Sequence, residues 1–381
     1  MTLSKRVPSS DNAKNLVQGF NTGNTAFALL SVFCFVLVMK NSAAAIEYMG
    51  RGLSLCAGTV IPSLFPFMVI SELLVKSGVG NALGRFLSPI MRRVFNLSGA
   101  GCTAAFLGSL CGFPIGAKTA ITLYDSGAIS KSETEHLMTF SNNPSTAFLI
   151  NAAGVSLLGN KSLGVLIYFC VLASGLAVGF FARFFIRSDY TLQQPQQSKS
   201  RHSGGIEAFT SSVSGAAGSM LTVCAYVIFF SALTGALSDM LSSFSGMSEW
   251  LRAVIFGFFE ISSGISRAAE INEPFTAAVL CALIAGWSGL SVHFQIISIG
   301  SGRSISYKPY IIAKLFHGFL AAILTSVLLL AFPSIFENKL VGGEALTFSF
   351  LNFLPGNGIF AFSVKLLFLL GLVGCFLRRK R

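Results

Sequence analysis

The sequence predicts an all-α polytopic membrane protein of two inverted repeats, with re-entrant helical hairpins and broken transmembrane helices. Three observations predict it. The 381 residues are 53% hydrophobic and only 11% charged, against about 25% charged in a soluble domain. The apolar residues fall in runs of about 20, the length that spans a ~30 Å hydrocarbon core, and not in the alternating stretches of about 10 that mark a barrel. Finally, polar helix-breaking stretches inside those runs recur at a fixed offset between the two halves.

The runs lie near 25–40, 53–75, 100–123, 136–157, 163–186, 217–238, 251–270, 275–296, 309–332 and 359–377. No cleavable leader pattern precedes the first, which is expected to remain as a helix. Residues 79–97 mix Arg85, Arg92 and Arg93 with large apolar side chains, the composition of a helix lying in the membrane interface. Residues 188–205, rich in Gln and Ser, read as a cytoplasmic linker between the halves. "GFPIG" (112–116) matches "EISSG" (260–264) at an offset of 148, and "SNNPSTAFLI" (141–150) matches "WSGLSVHFQI" (287–296) at 146. Such weak internal similarity is the usual trace of duplicated transporter halves. The expected organisation is a tail and first helix at 1–50, a first repeat at 51–187, the linker at 188–205, a second repeat at 206–332, and a loop, last helix and basic tail at 333–381.

Charge orients this scheme. If 100–123 and 251–270 are hairpins that enter and leave on one face and every other run crosses, 19 of the 27 Lys and Arg fall on the cytoplasmic side, Lys314 among them, and both termini are cytoplasmic. The first hairpin then enters from the cytoplasm and the second from the opposite face, so the repeats are inverted.

The breaks carry the chemistry. Irregular backbone at membrane depth is tolerated only where protein buries it or water reaches it. Gly112, Phe113, Pro114 and Gly116 form the first break; Asn142, Asn143 and Ser145 the second; Glu260, Ser262, Ser263 and Gly264 the third; Ser288, Gly289, Ser291 and Gln295 the fourth. Free N–H groups at half-helix starts attract anions. These fifteen positions, with Lys118, are candidate substrate-binding residues. Lys118 fits either a partner for an anionic solute or a side chain reaching the interface. Glu260 fits either a site for a coupling proton or Na+ or a cap for its own hairpin. The Asn pair fits solute recognition or a helix stop. Ser291 and Gln295 share a helix face. His293 reads as a proton carrier or as a histidine satisfied by a neighbour, while His136, His202 and His317 have no ligand-like company.

Other classes lack support. No phosphate-binding loop, metal signature or hydrolase motif is present, so neither an enzyme nor a bound cofactor is expected. The net charge of +12 sits in short segments flanking the apolar runs, which excludes a nucleic-acid face. The eight cysteines lie in apolar runs without a C-x-x-C pair and read as small buried hydrophobes.

"GSLCGFPIGAK", "LYDSGAISKSETEHLMTFSNNPSTAFLI", "GFFEISSGI" and "GWSGLSVHFQI" together resemble the YlbJ-type sporulation integral membrane proteins, a group with paired nucleoside-recognition gate domains related in fold to concentrative nucleoside transporters. The resemblance covers roughly residues 50–332. It implies a role in endospore formation and movement of dipicolinic acid across the outer forespore membrane. The expected function is therefore transport of a small anion, dipicolinate, by alternating access. A cation-coupled transporter of nucleosides or other metabolites, and a non-transporting scaffold for spore assembly, are the alternatives. Expected partners are the solute, the bilayer, and either a second copy or other spore-membrane proteins.

Overall fold

The computed structural model describes residues 22–77, 79–186, 205–242 and 246–333. The linker and the run at 359–377 lie outside the described residues. Among the described residues all regular structure is helical. Helix α1 is Thr22–Lys40, α2 Ser42–Leu55, α3 Ile61–Lys76, α4 Val79–Ile90, α5 Cys102–Leu110, α6 Ile115–Asp125, α7 Lys131–Met138 and α8, a wide helix, Ala147–Leu157. Helix α9 is Lys161–Ala182, α10 Gly205–Ser242, α11 Glu249–Phe259, α12 Ile261–Ala269, α13 Pro274–Trp287, α14 Gly289–Ile299 and α15 Lys308–Ala331. By length and apolarity α9, α10, the α13–α14 pair and α15 each suffice to cross a membrane. The chain is an integral membrane protein.

Two helices outrun their apolar segments. The run expected at 53–75 begins at Ser42, and the run expected at 217–238 extends over Gly205–Ser242. The added residues include "SAAAIEYMG" and "GIEAF", rich in Ala and Glu, which propagate a helix whether or not lipid surrounds it. Helix α1 meets the next segment at 97°. Asn41 holds that corner, donating its side-chain amide to the carbonyls of Leu37 and Ala236. Helix α4 answers the interfacial expectation in its composition, and presents Phe86 at 77% exposure.

The α2–α3 segment and α10 pack along their whole length. Asn41 reaches Ala236, Tyr48 reaches Ser238, Cys56 reaches Cys224 and Lys76 reaches Ser211. From Tyr48 onward rising numbers on one meet falling numbers on the other, so the two run antiparallel. Each immediately leads its repeat, α2–α3 before the first pair of breaks and α10 before the second. Corresponding elements that run in opposite directions make the repeats inverted.

Both hairpins are visible in their glycines. Gly108 and Gly116 flank the first break and approach so closely that a Cβ on either would collide with the other's Cα and with the Ser141 carbonyl. Across the second hairpin a Cβ on Gly264 would strike the Gly257 backbone, and one on Gly257 would strike Ile284. Residues seven or eight apart on a continuous helix stand about 11 Å apart, so the chain reverses at 111–114 and at 260. Arms of 9 and 11 residues reach about 14 to 17 Å, half of a ~30 Å core.

Surface contacts sort the loops by face. Arg183 donates to the carbonyls of Arg93 and Val94, Ser98 N donates to Glu133, Ser306 N donates to Glu135, and Arg303 grips Asp125 with two bonds of 2.6 and 2.7 Å. These ties gather the segments bearing Arg92, Arg93, Arg183 and Arg303 at one end of the molecule, continuous through α4 with Lys76. Lys314 does not join them. It is 1% exposed inside the protein, a correction to the charge count that placed it with the basic loops.

Candidate substrate site where the helix breaks meet

The four breaks converge. A cavity of about 550 Å³, its open mouth included, is lined by Phe113 and Ser145 from the first repeat and by Glu260, Ile261, Ser262, Ser291, Val292 and Gln295 from the second. Phe113 and Ile261 stand 148 apart, Ser145 and Ser291 146 apart, so repeat-related positions face one another across the same space. Leu55, Val60 and Leu64 from the α2–α3 segment and Val223 and Val227 from α10 close its apolar walls, with Phe148.

Each hairpin tip is pinned to the second break of its own repeat. Phe113 N donates to the Asn143 carbonyl at 2.8 Å, and Ala117 N donates to Asn142 Oδ1 at 2.8 Å. Asn142 and Asn143 also return their side-chain amides to the carbonyls of Met138 and Phe140. Gly112, at φ +90°, lies against Ser145 where a side chain has no room. In the second repeat Gly289, at φ +80°, lies against Glu260 and Ile261. Ser288 adopts φ +76° and donates to the Ala285 carbonyl. Ser263 meets Thr234. Pro114 and Gly116 shape the first hairpin, Gly264 the second.

Glu260 is 1% exposed. It accepts from Ser262 N at 3.1 Å, from Ser263 N at 2.7 Å and from the Ser262 hydroxyl at 2.6 Å. A carboxylate on a helix start satisfies both the helix dipole and its free donors. At the starts of α12 and α6 the N–H groups that sequence reasoning offered to a solute are thus occupied by the chain itself, by Glu260 and by Asn142 Oδ1, whereas the start of α14 carries no side-chain cap. Capping is the role the geometry gives Glu260, and its carboxylate still borders the cavity.

Lys118 lies elsewhere. Its ammonium pairs with Glu72 and donates to the Gly215 carbonyl, and it is not part of the cavity wall. Among the cavity-lining residues the polar groups that remain open are on α14: Ser291 Oγ and Gln295 Oε1 are buried without a hydrogen-bond partner, one turn apart, while Asn143 Oδ1 is likewise unpaired outside the cavity wall. Buried polar atoms are seldom left unpaired, which makes these two the candidate solute-binding groups of the cavity wall. Ser145 spends its hydroxyl accepting from Phe148 N.

Sequence reasoning missed one cluster. Lys314 Nζ donates to the Asn142 carbonyl at 2.9 Å and lies 3.0 Å from His317 Nδ1, while His317 Nε2 meets the Val171 carbonyl at 2.7 Å. Behind the cavity, His293 Nδ1 bonds Tyr310 and its ring packs edge-on against Trp287. The available signal was the helical spacing of Tyr310, Lys314 and His317, which puts all three on one face of α15. Among the described residues no cluster suited to a metal ion occurs.

Comparison with known proteins places this architecture. The Gate family model, described as nucleoside recognition, matches residues 57–185. The sporulation integral membrane protein YlbJ of Bacillus subtilis (strain 168) is 30% identical over 332 residues, covering 78% of this chain and 80% of that protein. The chain belongs to the family of that sporulation integral membrane protein.

Proposed function

We propose that the chain is a transporter of a small planar solute, dipicolinate, in the membrane around the forming spore, working by alternating access of the central cavity. One observation carries this reading: the breaks of two inverted repeats share a cavity in which Ser291 Oγ and Gln295 Oε1 have no protein partner. Phe113 and Phe148 supply flat apolar surface for an aromatic ring, and α14 supplies hydrogen-bonding groups for its substituents. Dipicolinate is a dianion near neutral pH, and Glu260 is the ionisable side chain among the lining residues. The solute therefore travels with compensating protons or a cation. The forespore setting and the cytoplasmic placement of both termini rest on family membership and on the charge bias.

The same acidic wall favours a second reading, cation-coupled carriage of a nucleoside, which has a planar base and no carboxylates. Proteoliposomes loaded with the purified chain and offered labelled dipicolinate or labelled nucleoside separate the two. Accumulation of dipicolinate that collapses with the proton or cation gradient supports the first. Nucleoside uptake without dipicolinate uptake replaces it with the second, and uptake of neither leaves the scaffold. Each lost hydrogen bond is worth about 0.5–1.5 kcal/mol, so Ser291→Ala and Gln295→Leu are each expected to weaken solute binding by up to roughly tenfold.

A further inference from the structure

We infer that Lys118 and Arg267 are the gate-positioning residues of the two repeats, each latching its own hairpin onto the seam between the α2–α3 segment and α10, one on either side of the cavity. The inference rests on the alternating-access reading and adds what holds each gate shut.

The two cations are near repeat-mates: the offset of 148 that relates the hairpins carries Lys118 to residue 266, one short of Arg267. Both sit on the second arm of their hairpin, α6 or α12. Both reach across to the same pair of helices. Lys118 takes the Glu72 carboxylate on α3 and the Gly215 carbonyl on α10. Arg267 donates to the Tyr48 hydroxyl on α2 at 2.7 Å and to Ser238 Oγ on α10 at 3.3 Å.

Glycines of α10 make room for each latch. A Cβ at residue 215 would strike the Glu72 carboxylate, and one at residue 235 would strike Tyr48. Tyr48 and Glu72 are 24 residues apart, about 36 Å along a helix axis. The cavity residues Leu55, Val60 and Leu64 lie midway between them. The latches thus flank the cavity at opposite faces, the Lys118 latch at the end bearing Lys76 and the Arg267 latch at the other.

The two are unequal. Lys118 and Glu72 are both largely buried and oppositely charged. Arg267 meets neutral oxygens on the helix seam and a more exposed Glu270 on its own hairpin. A largely buried ion pair is costly to break by losing one partner, whereas each neutral hydrogen bond adds little net stability. The second hairpin is therefore the gate that opens more readily.

Labelling of a cavity-wall cysteine, Val227→Cys, by a membrane-impermeant thiol reagent tests this in sealed vesicles of each orientation, scored above the native-cysteine background. Lys118→Met is expected to raise labelling several-fold from the Lys76 side alone, and Arg267→Met from the opposite side alone. Glu72→Gln should reproduce the first effect and Tyr48→Phe, a milder change, part of the second. Lys118→Arg should restore the parental pattern. Unchanged labelling, or a rise from the same side in both variants, overturns the inference. If Lys118→Met fails to fold, Tyr48→Phe and Arg267→Met still decide the sidedness of the second latch. Uptake separates the two levels of argument: sided labelling without dipicolinate uptake removes the solute and keeps the latches, and uptake without sided labelling removes the latches.

Discussion

At Glu260 a carboxylate inside the membrane region holds two backbone N–H groups and one hydroxyl. Glutamine retains one acceptor and loses the charge that complements the start of α12. Glu260→Gln is expected to lower stability by about 1–3 kcal/mol, measured by thermal unfolding in detergent against the parent. Gly264→Ala places a methyl group on the Gly257 backbone, and overpacking of this kind costs about 1–3 kcal/mol. Gly50→Ala, inside α2 with open space around it, is the matched control and should not lower the melting point, since alanine favours a helix interior over glycine. The sequence left Glu260 divided between ion site and cap because both roles ask for an acid beside a break. Only the distances to Ser262 and Ser263 decide between them. Lys118 divided in the same way, and its partner Glu72 is 46 positions distant, beyond the reach of any local pattern.

Among the elements, the hairpins were the most legible, because a glycine or proline cluster inside an apolar run has few physical explanations. Helix ends were less so. Hydropathy marks where lipid is preferred, while helix formation follows propensity and capping. Helix α13 shows the capping side of this. Glu273, just outside the span, accepts from Phe275 N and Thr276 N, and hydrogen bonds led by that from Thr276 hold its carboxyl below the ordinary carboxylate range. A depressed carboxylate stabilises the fold above its unfolded pKa, and the benefit is lost as pH falls through the folded value. Glu273→Gln should therefore melt below the parent at neutral pH, the gap closing on acidification. Asp125 and Arg303 form a tie in the exposed loops, and surface pairs contribute about 0–1 kcal/mol. Asp125→Asn is expected to shift stability by less than about 1 kcal/mol.

For the whole molecule, the inverted relation rests on the antiparallel seam and on the loops that meet at one end. Single cysteines placed at 126–130 and at 300–306 are expected to react with an impermeant reagent from the same side. Cysteines at 246–248 and 270–273 should react from the opposite side. Any mixing of these groups removes the two-fold scheme. This level was readable in the sequence because duplication leaves offsets and because charge asymmetry survives in loops. The cavity was readable only as a convergence of breaks. Which polar atoms stay open within it depends on internal hydrogen bonds that no spacing reveals.

The deeply placed ammonium of Lys314 constrains how the protein is made. A lysine at mid-bilayer raises the cost of inserting a helix by about 2.5–3.5 kcal/mol, and its relief comes from Asn142 and His317, the latter held by Val171. Two of these three residues belong to the first half of the chain. Helix α15 is thus expected to reach its resting place only with the earlier half already folded in the bilayer. When the halves are synthesised as separate polypeptides, the later one should be degraded unless the earlier one is made beside it.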